Sequence, residues 1–390
     1  MRLLLLTFYF EPDLCAGSFR SSALLKELIN NDDIHVDVVT TQPNRYAEYI
    51  KVADAKQEIN KNITIYRIRT PRHANGILDQ MISFAYFFWG ANRLIRNNYY
   101  DVVYASSARL FTAVLGARIA RRLQKPLYVD VRDIFVKMSA HILAEKHLSF
   151  FQFLITGFEK YAFSSAAKIN LVSGGFENYF KQKFPTKPLS FHSNGIDEIF
   201  LNNNSLKERS NNERLSILYA GNIGDGQGLH KILPGLAREL SSVAEIRVVG
   251  AGGKLKELRE EIEKSTCSNI KIEKPVGQKE LVDYYRNCDI LFLHLNSMDI
   301  FEEVLPSKLF EYAATGKPIL AGVNGFASEF IRKNIINCEV FEPCNVEACV
   351  SSLRKLTVVD VDRSEFINRH LRSEIMKKMV LDIRDCVDKS

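Results

Sequence analysis

Short runs of Val, Ile and Leu alternate with longer stretches of helical period along the whole chain. A brief apolar run bounded by turn residues reads as a strand buried on both faces, and its alternation with helices is the rhythm of βαβ units in parallel sheets. In the first half the runs fall at 2–8, 36–40, 63–68, 101–106, 127–131 and 168–172. The rhythm breaks at 202–214, NNNSLKERSNNER, a polar stretch with no apolar face that reads as the start of an interdomain connection or a surface loop. A second series follows at 215–220, 246–249, 270–274, 289–293 and 318–322. The pattern predicts an α/β protein of two Rossmann-like domains, 1–200 and 201–363, with a helical tail over 364–390.

Composition narrows this reading. With 390 residues and 46% hydrophobic content the chain has enough apolar material for two cores, which excludes a disordered chain. The run at 3–6 is far too short for a signal sequence or a membrane span and sits where a first buried strand belongs, so a cytoplasmic protein is expected. Seven cysteines lack C-x-x-C spacing and form no zinc-like cluster with the eight histidines; most are expected as small buried apolar residues. Residues 1–195 carry 25 Lys+Arg against 16 Asp+Glu, a net of +9, whereas residues 196–390 carry 27 against 30, a net of −3. A basic first half attracts nucleic acid, anionic lipid or an acidic acceptor. No nucleic-acid module accompanies it, which leaves lipid or pyrophosphate. Two aromatic stretches lie in that half: 77–94, with Phe84, Tyr86, Phe87, Phe88 and Trp89, and 135–163, with Phe150, Phe151, Phe153 and Phe158. Flanked by Arg93, Arg96, Lys137 and Lys146, they are either an interfacial surface for a membrane or helices packed on a sheet.

The segment 301–323, FEEVLPSKLFEYAATGKPILAGV, carries the most chemistry. Pro306 suits a first helical position, and Gly316 with Pro318 supplies stop signals, so a short helix is predicted. Leu305, just before Pro306, has no side-chain oxygen to cap the first-turn amides. Open amides at the positive end of a helix, around Pro306, Ser307, Lys308 and Leu309, suit a diphosphate, and the Lys308 ammonium adds a formal charge. Glu303 precedes the helix and Glu311 lies within it, both placed to grip hydroxyls.

This stretch resembles the E-x7-E signature of family 4 glycosyltransferases, which have the GT-B fold, and in particular the O-antigen and capsule branch reading PSKxFEYxATGKPI, such as N-acetyl-fucosamine transferases. The resemblance implies two facing Rossmann-like domains with a C-terminal helix returning to the first. It further implies a retaining transferase that moves a sugar from a nucleotide diphosphate, UDP first, to a polyprenyl-diphosphate-linked saccharide at the inner face of the cell membrane. No metal or other cofactor is expected. Glu303 would meet the donor sugar and Glu311 the ribose.

Other elements join the resemblance. The strand at 215–220 runs into Gly221-Asn222-Ile223-Gly224-Asp225-Gly226-Gln227-Gly228 and then a helix, the topology of a phosphate-cradling turn. Relatives carry Arg and Lys near this turn where Asn222 and Gln227 stand here, so backbone amides, Lys308 and an arginine from the first domain would compensate. VVGAGG at 248–253 lacks the complete dinucleotide fingerprint, and Gly250 would border the nucleotide base. In the first domain Gly17 and Ser18 are expected in a loop facing the interdomain cleft, with Arg20 either beside the acceptor or solvated. Arg132 stands where many relatives have His, before Asp133; it either meets leaving-group or acceptor phosphate or pairs with Asp130 or Asp133. Asn194-Gly195-Ile196-Asp197 matches the N-G-[VI]-D element near the domain junction. Asp360 and Asp362 read D-x-D but lie near the tail, so no cation is assigned to them. Two other classes remain open: a sugar-nucleotide binder or epimerase without transferase activity, and a nucleotide-cofactor oxidoreductase with twin Rossmann domains.

Overall fold

The computed structural model describes residues 1–44, 53–71, 77–145, 150–201 and 214–388. Lys146 and nearly all of the polar stretch 202–214 lie outside them. The chain forms two compact units, Met1–Asn194 with Ser373–Ser390, and Gly195–Arg372.

The first unit is built on β1 (Arg2–Leu6), β2 (His35–Thr41), β3 (Lys56–Asn60), β4 (Ile63–Ile68), β5 (Val102–Ser106), β6 (Leu127–Val131), β7 (Lys168–Leu171) and β8 (Leu189–Ser190). They order as β3-β4-β2-β1-β5-β6-β7-β8. All neighbours run parallel except the antiparallel edge pair β3–β4. The central strands read LLLL, VVYAS and LYVDV and are buried throughout, as helices on both faces require. The unit's helices are α1 (Ala16–Ile29), α2 (Ile77–Leu94), α3 (Leu110–Leu123), α4 (Phe135–Glu145), α5 (Phe150–Ser164) and α6 (Glu177–Lys183).

The second unit has β9 (Leu215–Asn222), β10 (Ala244–Ala251), β11 (Ile270–Glu273), β12 (Ile290–His294), β13 (Ile319–Gly322) and β14 (Cys338–Phe341), ordered β11-β10-β9-β12-β13-β14 and parallel throughout. Its helices are α7 (Leu229–Glu239), α8 (Leu255–Ser265), α9 (Gln278–Arg286), α10 (Ser307–Ala314), α11 (Gly325–Asn334), α12 (Val346–Lys355) and α13 (Ser364–Arg369).

The tail is two helices, not one. α13 ends at Arg369, His370 caps it, and α14 (Arg372–Asp388) begins anew. Leu371 makes a parallel bridge to Ile196 at this break. Beyond it Ile375, Met376, Met379, Val380, Ile383 and Cys386 of α14 are buried in one cluster with Leu3, Leu5, Leu28, Val102 and Tyr128 of the first unit. Asp382, on the same helix, accepts hydrogen bonds from Lys168 Nζ, from His192 Nε2 (3.1 Å) and from Tyr128 Oη (3.2 Å). Burial raises the Asp382 pKa, but hydrogen bonds from His192, Lys168 and Ser190 outweigh it and hold the carboxylate well below its usual range.

Cys288, Cys349 and Cys386 are buried; Cys15, Cys267, Cys338 and Cys344 are half-buried, so fewer lie in the core than composition predicts.

Candidate functional site

In the second unit the chain passes from β9 outward to β10 and β11, then returns to the other side of β9 with β12. That reversal leaves a crevice at the carboxyl ends of β9 and β12, where open α/β sheets bind ligands. The glycine turn after β9 and the segment leading to α10 after β12 both stand there.

Helix α10 starts one residue later than the sequence predicts. Pro306 has ψ 130° and is the cap residue, with Ser307 the first helical residue. Proline has no side-chain oxygen, so the consequence for the amides is unchanged: among the described residues no side chain caps α10. The Leu309 amide turns back to the Pro306 carbonyl at 3.1 Å, leaving those of Ser307 and Lys308 as the outward donors of the first turn. Gly316 takes φ +74° after the helix end, a left-handed conformation that suits glycine.

Three side chains lock together on α10 and α9. Glu311, 4% exposed, accepts from Lys308 Nζ (2.7 Å) and from Tyr285 Oη (3.1 Å), and Lys308 Nζ also donates to Tyr285 Oη (3.2 Å). Burial and the neighbouring Glu311 raise the Tyr285 phenol well above its ordinary pKa, so it stays a donor. Tyr312 fastens α10 to β9: the Ala220 amide donates to its hydroxyl (3.0 Å) and the hydroxyl donates to the Ala220 carbonyl (3.3 Å). A Cβ on Gly221 would lie 3.7 Å from Lys308 Cε, so the start of α10 and the end of β9 are neighbours. Glu303 is half-buried in the turn between the single 3-10 turn Asp299–Phe301 and α10. The Phe301 ring covers Gly226, whose Cβ would lie 2.9 Å from it.

Asn222 and Gln227 bond to each other inside the turn. Asn222 Nδ2 donates to Gln227 Oε1 (2.7 Å), which also accepts from the Gly224 amide (3.2 Å), so the two side chains brace the turn from within. Gly250 has a backbone reason for being glycine. It pairs in register with Gly221, and a Cβ there would sit 1.9 Å from the Gly221 carbonyl oxygen. This packing alone requires glycine at the position.

Two further residues shape the turn, and neither was singled out in the sequence. His294, at the end of β12, accepts the Cys344 amide at Nε2 (2.9 Å), which puts its proton on Nδ1 for donation to the Gln227 carbonyl (2.7 Å). Burial lowers its pKa to about 4, so the imidazole is neutral at physiological pH. Asn296 donates from Nδ2 to the Asp225 carbonyl (2.9 Å), accepts from Lys231 Nζ (3.0 Å), and packs where a Cβ on Gly228 would fall. The signal was a histidine closing an otherwise apolar strand, ILFLH.

In the first unit the same switch occurs between β1 and β5. Gly17 and Ser18 are not in a loop; α1 begins at Ala16 and holds both in its first turn, with Ser18 buried. Arg20, 1% exposed, is neither solvated nor available to an acceptor. It donates to both Asp130 oxygens (2.8 and 2.9 Å) and to the Ser193 and His192 carbonyls (2.6 and 2.8 Å), while Tyr104 and Asn170 complete the Asp130 shell (2.9 and 2.7 Å). With Asp130 so occupied, Arg132 turns to the Ala16 carbonyl (3.2 Å) and Asn194 Oδ1 (3.4 Å), not to a carboxylate. Burial raises the Asp133 pKa to about 6, with Arg132 acting against it. Arg109 lies over the Phe8 ring at 4.0 Å and donates to Tyr9 Oη (2.6 Å) after the end of β5.

Asp197 pairs with Arg372 (3.1 Å) and accepts from Gln278 (2.9 Å). Asp362 accepts from the Ser364 amide (3.0 Å) and Asp360 lies 3.6 Å from Lys317, so both carboxylates of the D-x-D stretch are engaged in local structure.

Residues 202–369 match the family model described as Glycosyl transferases group 1. No curated protein matches the chain in sequence. Among solved structures the chain is similar to Anabaena HepE in complex with UDP and glucose, at TM-score 0.67 and 15% identity over 99% of each chain. It is similar also to WaaG, a glycosyltransferase involved in lipopolysaccharide biosynthesis, at TM-score 0.65 and 14% identity over 99% of this chain and 98% of that one. The UDP-GlcNAc 2-epimerase from Neisseria meningitidis bound to UDP-GlcNAc gives 0.59 and 11% over 98% and 100%. The fold is therefore GT-B, and the match to the group 1 glycosyl transferase model falls within its second unit.

Proposed function

We propose that the protein is a retaining glycosyltransferase that moves a sugar from a nucleoside-diphosphate donor, UDP-linked, to a lipid-linked saccharide in O-antigen, capsule or exopolysaccharide synthesis, working at the inner face of the cell membrane. The observation that carries this reading is the start of α10: uncapped amides, Lys308 and the buried Glu311 beside the glycine turn of β9, at the sheet's switch point. The group 1 match over 202–369 and the UDP-bound neighbours support it.

In this reading the Ser307 and Lys308 amides and the Lys308 ammonium receive the diphosphate, whose growing negative charge is the main thing catalysis must stabilise. Glu311, already oriented by Tyr285, accepts from the ribose hydroxyls, and Glu303 from those of the sugar. The second unit thus holds the donor. The first offers Arg132, a cation, and Asp133, a carboxyl whose pKa burial pushes up to about 6 and which is suited to exchanging a proton with an acceptor hydroxyl. The positive groups do the work a divalent cation does elsewhere, so no metal enters this reading.

Calorimetric titration with UDP, GDP and ADP, followed by their sugar conjugates, tests it: UDP is expected to bind most tightly. Absence of binding by all three would sink the proposal. The likeness to UDP-GlcNAc 2-epimerases favours one alternative, epimerisation of the donor sugar; incubation with a UDP-sugar alone separates the two, since an epimerase returns an altered sugar still joined through C1 to the diphosphate, whereas a transferase needs an acceptor to part them.

A further inference from the structure

Helix α2 has two apolar faces where packing on a sheet needs one. Ser83, Phe87 and Ala91 are buried, while Ile82, Tyr86 and Trp89, spaced i, i+4 and i+7, are exposed on another side, Trp89 at 73%. Helix α5 repeats the arrangement. Glu159 and Phe163 are buried, and Phe151, Leu154 and Phe158, spaced i, i+3 and i+7, are exposed, with Phe153 beside them at 77%.

The two stripes belong to one surface. Phe84 of α2 and Phe158 of α5 both pack on Phe111 of α3, with ring centroids 5.3 Å apart in each case. Between them α3 presents Arg118, Arg121 and Arg122 to solvent, Arg118 lying 5.9 Å from the Phe88 ring and Arg121 4.6 Å from the Tyr161 ring. Exposed Arg93 on α2 and Lys160 on α5 add to the charge. The acid of α5, Glu159, is buried beneath Tyr179 and Lys183 and does not offset it.

Apolar ridges with a row of arginines between them fit an anionic bilayer surface, where rings enter the headgroup boundary and guanidinium groups meet lipid phosphate. A second copy fits poorly, because a two-fold contact on this face would set the arginine row against itself. No described helix is long and apolar enough to cross a membrane, so the face lies on the bilayer and does not span it. We propose that the α2–α3–α5 face docks the first unit on an anionic lipid bilayer, with Trp89 and Phe153 as apolar anchors and Arg118, Arg121 and Arg122 as the phosphate contacts. The purpose assigned to this docking, reaching a lipid-linked acceptor, rests on the transferase reading; the docking itself rests on the surface.

Trp89 is the chain's single tryptophan, which makes its fluorescence a reporter of this face alone. The test is co-sedimentation of the full chain with phosphatidylcholine vesicles with or without about 30% phosphatidylglycerol, at low and raised salt, with Trp89 emission read on the same samples. Binding is expected only with the anionic vesicles, weakened by salt, with a blue-shifted emission. The Phe153→Ser and Arg118→Glu/Arg121→Glu variants are expected to lose about tenfold or more in vesicle affinity while keeping their UDP affinity. Absence of vesicle binding, or binding with unshifted Trp89 emission, overturns the proposal; so does sedimentation velocity showing a dimer that Phe153→Ser dissolves, which would give the face to a second copy. If vesicles bind and no nucleotide does, the transferase reading fails and the docking stands.

Discussion

Glu311 is the residue on which the donor reading turns, because its carboxylate is buried and among the described residues is paired with one full charge, that of Lys308. Replacing it with Ala is expected to weaken UDP binding about 10- to 100-fold, the worth of charged hydrogen bonds to hydroxyls, in a calorimetric titration. His294 acts on the same site from behind, through the Gln227 carbonyl. His294→Leu keeps the volume roughly but abandons that carbonyl and the Cys344 amide, so a loss of about 1–3 kcal/mol in stability is expected, together with weaker UDP binding. The same histidine gives a pH dependence. In the unfolded chain it protonates near 6.5, whereas the folded site resists until about 4; its contribution is therefore full above about 6.5 and is lost as pH falls toward 4. Asp133 works in the opposite sense. Its folded pKa of about 6 exceeds the unfolded value, so the folded state keeps a proton the unfolded one has released, and this term weakens the protein as pH rises from about 4 to 6. Urea melts of Asp133→Asn against the parent are expected to show the variant gaining on the order of 1 kcal/mol across that window, a gap that should be absent at pH 4.

At the scale of elements, the helix that docks by both apolar and ionic contacts is α14. Met379 is wholly buried and Asp382 answers Lys168, His192 and Tyr128, so Met379→Ala should cost about 2–5 kcal/mol and speed amide exchange in β1 and β5, measured by mass spectrometry. The buried parallel strands were legible because continuous apolar runs such as LLLL and VVYAS have little other use. The edges were not. β3 reads KQEIN and is largely exposed, so nothing in its polarity marks it as a strand, and β8 and β14 are too short to show a period. Signals at helix ends misled by a residue or two: Gly17 and Ser18 suit a loop by composition, but α1 starts at Ala16 with Cys15 as its cap residue. Arg20 escaped because its partner Asp130 is 110 residues away in sequence and becomes a neighbour only across β1, β5 and β6. The α10 site was legible to the extent that proline, lysine and two glutamates share one short stretch; the bracing by Tyr285, His294 and Asn296 is tertiary.

For the whole molecule, the charge asymmetry read from composition has a physical seat. Part of the excess of the first half is the arginine row of α3, set among exposed rings, while the second unit concentrates its cations on specific partners such as Lys308 on Glu311. Ionic strength should thus act on lipid attachment far more than on nucleotide binding. The first unit is also discontinuous: its core closes only when the segment after Arg372 joins Leu3, Leu5 and Tyr128. During translation, at roughly 5–20 residues per second, the amino-terminal sheet waits on the order of ten to forty seconds for that last segment, with an apolar flank uncovered. A nascent chain arrested before Arg372 should therefore recruit holdase chaperones and resist refolding, while the Gly195–Arg372 portion, already contiguous, reaches its native form first.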